Sequence, residues 1–369
     1  MIQLLQPQQE LSASTLVTAP FISIIVPVRN EAQCIESTLE KVFSQTYDPQ
    51  RFEVIVADGE STDETRAIVR RLQERYPNLI LVPNPGRWSS AGRNAAIQAS
   101  QGEIILLVDG HCDVRNPNYL RDLVDAFERS GADCIGRPQP LDVSGASSFQ
   151  RAVAVARGCQ LGHHPDSFIY ADQEAIVKAH SVAIAYKREV FEQVGIFDER
   201  FDACEDVELN HRVDQAGLTC FFTPKAAVYY HPRASLRGLF RQMMRYGRGR
   251  SRLLRKHPET FTLPGFVPGA FVAGLGCGAL LSVVSTWCCG LYLGVLAFYL
   301  SLITVWAVSL ALRHRRVSFL TWIPLVLITV HVGAGTGQIL EWIRPQAPPR
   351  AATLRQDPKL NDPKKSKAA

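Results

Sequence analysis

Residues 260–312 contain no Asp, Glu, Lys or Arg, a charge-free run of 53 residues. As one straight helix rising about 1.5 Å per residue it would measure about 80 Å, against a hydrocarbon core of about 30 Å. It must fold back. Cys288-Cys289-Gly290 is the natural turn, giving expected spans near 267–287 and 291–312. A second charge-free run, 317–340, supplies a third candidate near 318–340, interrupted by Pro324 and by Gly333-Ala334-Gly335-Thr336-Gly337. Outside the two runs about a quarter of the residues are charged, the ordinary share for a soluble protein. The chain is thus neither wholly soluble nor built mainly of spans. A soluble part of roughly 230–260 residues, large enough for its own core, precedes a membrane part at 259–343.

Between Pro232 and His257 lie nine basic residues and no acid, and Arg313-His314-Arg315-Arg316 follows the second span. Positive flanks stay cytosolic, so the first two spans read as a hairpin, with the soluble part in the cytosol at the inner membrane. The third segment leaves two alternatives. Full crossing exports the tail 344–369, with its seven basic and two acidic residues; a re-entrant segment keeps it inside. Trp287, Trp306, Trp322 and Trp342 lie in or beside the candidate spans, as interfacial anchors do. The extension 1–20 lacks the basic and apolar stretches of a secretory signal. The nine cysteines form no Cys-x-x-Cys pair, which favours free thiols in a reducing compartment over disulfides or a cysteine zinc site.

The soluble part alternates strands and helices. FISIIVPV at 21–28 is a short apolar run suited to a buried strand, and Ile35, Leu39, Val42 and Phe43 follow at helical spacing. Further strands are expected at 52–57, 79–82 and 103–108, with a helix at 89–99. Ser61-Thr62-Asp63-Glu64 reads as a capping box opening a helix through Leu72. This order predicts an α/β fold with a mostly parallel sheet, whose ligands bind beyond the carboxyl ends of the strands. Arg29, Asp58 and Asp109 each sit just after a strand and should converge on one crevice.

ISIIVPVRNEA, VIVADGESTDET, SSAGRNAAIQASQGEIILLVDGH and CEDVELNHRV, in this order and spacing, resemble a family 2 glycosyltransferase of GT-A fold over about residues 21–232. With RQMMRYGRGR and the C-terminal spans, the likeness is to the bacterial succinoglycan-biosynthesis type. The resemblance implies transfer of a sugar from a nucleotide donor, expected to be a UDP-hexose, to a lipid-linked or polysaccharide acceptor. It also implies Mg²⁺ or Mn²⁺ to balance charge on the departing diphosphate. The family's Asp-x-Asp is here Asp109-Gly110-His111, so His111 becomes a candidate ligand, a donor suited to Mn²⁺, and Asp113 a helper.

Asp58 is expected to bond the nucleobase, unless it only forms an Asx turn; Gly59 replaces a second acid common in the family. Arg93 would face base or phosphate, the plainer reading being a surface helix arginine. Pro27, Arg29 and Glu31 would wrap the nucleoside, though Glu31 also suits a helix start. By likeness Asp206 is the general base, supported by Glu205, and a single displacement inverts the anomeric centre. His163, His164 and His180 lack metal-ligand spacing and read as acceptor-loop or structural residues.

Arg233, Arg237, Arg241, Arg245, Arg248, Arg252 and Arg255 recur at helical spacing, so 233–258 reads as a basic amphipathic helix on anionic lipid. Gln242-Met243-Met244-Arg245-Tyr246 also resembles the family's Gln-x-x-Arg-Trp motif, which implies contact with the donor diphosphate and the acceptor end. Membrane partners account for these arginines better than nucleic acid. Two other functions stay open, a polyprenyl-phosphate glycosyltransferase and a non-catalytic nucleotide-binding membrane scaffold.

Overall fold

The computed structural model describes residues 19–163 and 168–347. Strands β1 (Ile22–Val28), β2 (Phe52–Asp58), β3 (Leu79–Pro83) and β4 (Ile104–Leu107) alternate with helices α1 (Ile35–Phe43), α2 (Thr65–Gln73) and α3 (Ser89–Ala99). Next come β5 (Cys112–Asp113), α4 (Tyr119–Ser130), β6 (Cys134–Gly136), α5 (Ser148–Gly158), β7 (Ala175–Val177), β8 (Ala183–Lys187) and α6 (Arg188–Val194). Then α7 (Glu205–Gln215), β9 (Cys220–Phe222), β10 (Tyr229–Tyr230) and α8 (Leu236–Lys256) lead to three long apolar helices. These are α9 (Leu263–Val284), α10 (Thr286–His314) and α11 (Phe319–Ile343), each long and apolar enough to cross a membrane.

The main sheet runs β3-β2-β1-β4-β8-β6-β9-β7. β1 to β4 are mutually parallel, but β8 is antiparallel to both its neighbours, so the sheet is mixed. The unbroken apolar run of β1 follows from burial on both faces. Ile22, Ile24 and Val26 pack toward α1, α2 and α4, whereas Ile25, Ile55 and Ile105 pack toward α3 and α7. The chain lays β2 and β3 on one side of β1, then returns to place β4 on the other. That reversal opens a crevice beyond the carboxyl ends of β1 and β4. A two-stranded ribbon, Tyr229 opposite Asp113 and Tyr230 opposite Cys112, brings the β10 tyrosines to it.

Two local expectations change. The box at Ser61 does not form: α2 starts at Thr65, where Asp63 accepts the backbone N–H and hydroxyl, while Ser61 Oγ accepts Asn30 N–H. Thr62 donates to Asn30 Oδ1 and Glu31 N–H to Thr65 Oγ1, so the loops after β1 and β2 lock together. The fold-back of the apolar run lies at Ser285, not at Cys288-Cys289-Gly290. Ser285 is extended and its hydroxyl accepts the Cys288 amide, which caps α10 and leaves Cys288–Gly290 as helix. α11 runs unbroken through Pro324 and the glycine stretch, so it contains no re-entrant turn. All nine cysteines are free.

The arginines of α8 are largely taken up by protein rather than facing lipid. Arg248 and Arg252 reach the Glu341 carboxylate at 3.1 Å, and Arg255 donates to the Glu341 carbonyl at 2.7 Å. Arg245 pairs with Asp202. Only a close approach of α8 and α11 permits this. A side chain on Gly247 would sit 2.0 Å from the Ala334 carbonyl oxygen, so glycine is required there. Arg233, Arg237 and Arg241 remain exposed.

Candidate active site

Asp109 follows β4 at the mouth of the crevice, with a third of its side chain exposed. Its Oδ2 accepts the Tyr230 hydroxyl at 2.9 Å, and its Oδ1 lies 3.4 Å from Arg93 Nη2. Arg93 is buried on α3, and its Nη1 stands 3.1 Å from Glu205 Oε1 on the first turn of α7. The guanidinium rests over the Phe197 ring at 5.3 Å. It is no surface arginine. One planar cation joins the end of the sheet to the helix that carries the acid pair.

The charges inside this group shape one another. Burial alone would lower the Arg93 pKa, but Glu205, Asp109 and Asp206 outweigh it and raise it. Burial would raise the Asp109 pKa, yet Arg93, His111, the Tyr230 hydrogen bond and Arg137 together hold it below the usual value. Glu205 goes the other way. Burial lifts its pKa and Asp206 adds to the lift, against Arg93. The two neighbouring acids thus have different surroundings. Glu205 is interior and tied, while Asp206 is half-buried and accepts the Val207 amide at 2.8 Å. Acids on the first turn of α7 also suit the positive end of its dipole.

The donors around Asp109 fit a divalent cation. His111 Nδ1 pairs with Glu31 Oε1 at 3.0 Å, so its Nε2 is left for a metal while Glu31 fixes the ring, the arrangement common behind metal-ligating histidines. That hydrogen bond also raises the His111 pKa, against burial. Asp113 does not share the load. It is paired with Lys41 and, at 2.7 Å, with Arg115, which takes up its charge on β5.

Asp58 ends β2 beside Val28 of β1 and is buried. It accepts the Ser61 amide at 3.2 Å and faces Arg66 Nε at 3.5 Å, so the Asx-type turn is formed and partly engages the carboxylate. Gly59 has a steric reason. A Cβ there would meet the Arg87 carbonyl oxygen at 3.0 Å and Arg29 Cβ at 3.3 Å, so a side chain fits only if these neighbours give way by a few tenths of an ångström. Pro27 is half-buried at the end of β1 and Arg29 exposed beyond it. On α8, Gln242 Nε2 donates to the Tyr246 hydroxyl at 3.2 Å, and Arg245 bonds Asp202 close enough to Glu205 to feel its charge.

Arg93, Asp109, His111, Glu205, Asp206 and Arg245 therefore belong to one group, with Glu31 behind it. His180 does not; its Nδ1 bonds Asp214 at 2.5 Å. His163 bonds the Cys159 carbonyl, and His164 lies outside the described residues. Sequence reading misses Tyr230, Asp202 and Arg137. Arg137 is fully buried behind Tyr230, with Nη2 3.5 Å from its hydroxyl. No local pattern marks them; the paired tyrosines opposite Cys112-Asp113 are the sole hint.

Residues 23–195 match the family model described as glycosyl transferase family 2. The chain is 34% identical over 291 residues to the succinoglycan biosynthesis protein ExoA of Rhizobium meliloti, covering 77% of this chain and 85% of that protein. It is 23% identical over 322 residues to a dolichyl N-acetyl-alpha-D-glucosaminyl phosphate 3-beta-D-2,3-diacetamido-2,3-dideoxy-beta-D-glucuronosyltransferase of Methanococcus voltae, covering 84% of this chain and 94% of that one. Among solved structures, the mannosyltransferase PcManGT of Pyrobaculum calidifontis, in complex with GDP-Man and Mn²⁺, superposes with a TM-score of 0.58 at 21% identity, covering 88% of each chain.

Proposed function

Since the chain belongs to glycosyl transferase family 2, we propose that it transfers a sugar, with inversion, from a nucleoside diphosphate donor to a hydroxyl of a lipid-linked or polysaccharide acceptor in surface-glycan synthesis. The observation that carries this reading is the Arg93 bridge, 3.4 Å from Asp109 and 3.1 Å from Glu205. It sets a cationic, metal-competent strand end against an acid pair, the two halves that glycosyl transfer requires. The names of two relatives support the product class, one a succinoglycan biosynthesis protein, the other acting on a dolichyl-phosphate-linked sugar.

In this mechanism the diphosphate lies against Asp109 and His111, which would hold Mg²⁺ or Mn²⁺. When bound, the cation offsets charge gathering on the departing diphosphate. Asp58 and the β1 loop of Pro27, Arg29 and Glu31 face the nucleoside. Asp206 takes the proton of the acceptor hydroxyl as its oxygen bonds the anomeric carbon and the bond to the diphosphate breaks. Glu205, tied to Arg93, keeps α7 in place and adds no second nucleophile, so one displacement inverts the centre. Gln242, Arg245 and Tyr246 stand at the acceptor side of α8. The α9–α10 hairpin holds the site at the cytosolic face of the inner membrane, where nucleotide sugar meets a lipid-borne acceptor.

Membranes carrying the protein, a panel of labelled nucleotide sugars and chromatography of the lipid extract test the reading. Asp206→Asn should abolish labelled product and leave nucleotide binding nearly intact; transfer near the wild-type rate removes Asp206 as the base. Asp109→Ala should lose activity and metal dependence together, and activity unchanged in excess chelator removes the cation.

A further inference from the structure

Away from the crevice, His211 on α7, His257 at the end of α8 and Glu259 just before α9 converge, each bringing one donor atom within 4.8 Å of the others. His211 Nε2 is 2.8 Å from Glu259 Oε1, and His257 Nδ1 is 3.4 Å from the same oxygen. The two rings stand 4.7 Å apart edge to face, each with one nitrogen near Glu259 Oε1.

Behind them lies Glu208, fully buried. Its Oε1 faces His257 Nε2 at 3.1 Å and Lys256 Nζ at 2.6 Å, and its Oε2 takes Arg212 at 2.9 Å. His257 therefore has a carboxylate oxygen at each ring nitrogen. A neutral imidazole has a single N–H. If Nε2 donates to Glu208, Nδ1 turns a lone pair toward Glu259, acceptor against acceptor. A second proton on the ring or a metal ion between them resolves the clash, and an imidazole backed by a carboxylate is the usual outer support of a bound metal.

We propose that His211, His257 and Glu259 form a second divalent-metal site, separate from Asp109, which takes a borderline transition cation such as Zn²⁺. Two imidazoles and one carboxylate, with solvent at the half-exposed Glu259 for a fourth position, match zinc chemistry. The oxygen-rich shell that Mg²⁺ demands is not present there. The site would clasp α7, which carries Asp206, to the connection leading into the membrane hairpin, and so hold the catalytic helix at a constant height above the bilayer.

The test uses the full chain in detergent with a tag free of histidine, stripped by chelator, reloaded with Zn²⁺ and passed over a desalting column. One zinc per chain should be retained by the wild type and by Asp109→Ala, and zinc should raise the Tm of both. Glu259→Gln and His211→Asn should each retain well under one equivalent and lose the zinc-dependent rise in Tm. Should His211→Asn fail to fold, the half-exposed Glu259→Gln decides alone. A wild type without stoichiometric zinc, or variants that retain it fully, overturns the proposal and makes the cluster a hydrogen-bonded ion-pair group.

Discussion

A single guanidinium organises the active site at the residue scale. Arg93 spans two carboxylates from within the protein, and lysine, a point charge on a flexible stem, cannot reproduce both contacts. Arg93→Lys should therefore lower the transfer rate by about 10²-fold or more, the cost of losing one preorganised charge partner, while the fold persists by circular dichroism. A rate within threefold of wild type would mean that the bridge serves stability alone. Tyr230→Phe removes the hydroxyl from Asp109 and should weaken activation by Mn²⁺ by about 10-fold, read as the metal concentration for half-maximal rate. Asp58 and Asp109 were legible in sequence because each ends or follows an apolar strand, and the Glu205-Asp206 pair through the likeness of CEDVELNHRV. Tyr230 was not, because β5–β10 pairing delivers it across more than a hundred residues. Asp113 reads as a helper to Asp109 in the sequence; what takes it out of that part is Lys41 and Arg115, which only the fold places beside it.

At the scale of elements, periodicity located what was long. The helix expected at 89–99 forms as α3, and β1 and β2 lie where apolar runs between turn residues put them. Beyond Asp109 the strands shrink to two or three residues in β5, β6, β7 and β9, too short for any alternation to show. The arginine spacing on α8 gave the helix correctly but not its surroundings, because the partner is one acid, Glu341, at the far end of an apolar segment. Glu341 is fully buried beneath Arg248, Arg252 and Arg255. Glu341→Gln strands those cations and should cost about 3–5 kcal/mol, visible as a fall in Tm of the detergent-solubilised protein. Arg237, exposed on the same helix, is the contrast: Arg237→Gln should change stability by less than about 0.5 kcal/mol. Equal effects of the two would sink the assignment of Glu341 as the clamp.

For the whole molecule, what matters is which apolar helices cross the bilayer. α9 and α10 contact one another at Gly278–Tyr292 and Phe271–Tyr299, and around their shared tip Val283, Val284 and Trp287 are almost wholly exposed. α11 is different: its first half packs on Phe149, Ala152 and Ala156 of α5, and its glycine stretch on α8. At its midpoint His331 accepts from or donates to Tyr299 and bonds the Leu161 carbonyl of the soluble domain. A fully crossing α11 would draw α5 and the three α8 arginines held by Glu341 toward hydrocarbon, at about 2.5–3.5 kcal/mol for each charge reaching the centre. α11 also packs on α10 through Phe319 and Ile323 and on α9 at Gly335, and two spans keep its α5 and α8 contacts out of the hydrocarbon. We therefore expect α9 and α10 alone to cross, with α11 lying along the cytosolic face of the domain. The basic tail then stays inside, as the charge bias demands. Alkaline phosphatase fused after Ala369 should be inactive and a fluorescent protein there bright, whereas phosphatase inserted at Ser285 should be active. An active C-terminal phosphatase would make α11 a third span and require the α5 and α8 contacts to open in the membrane.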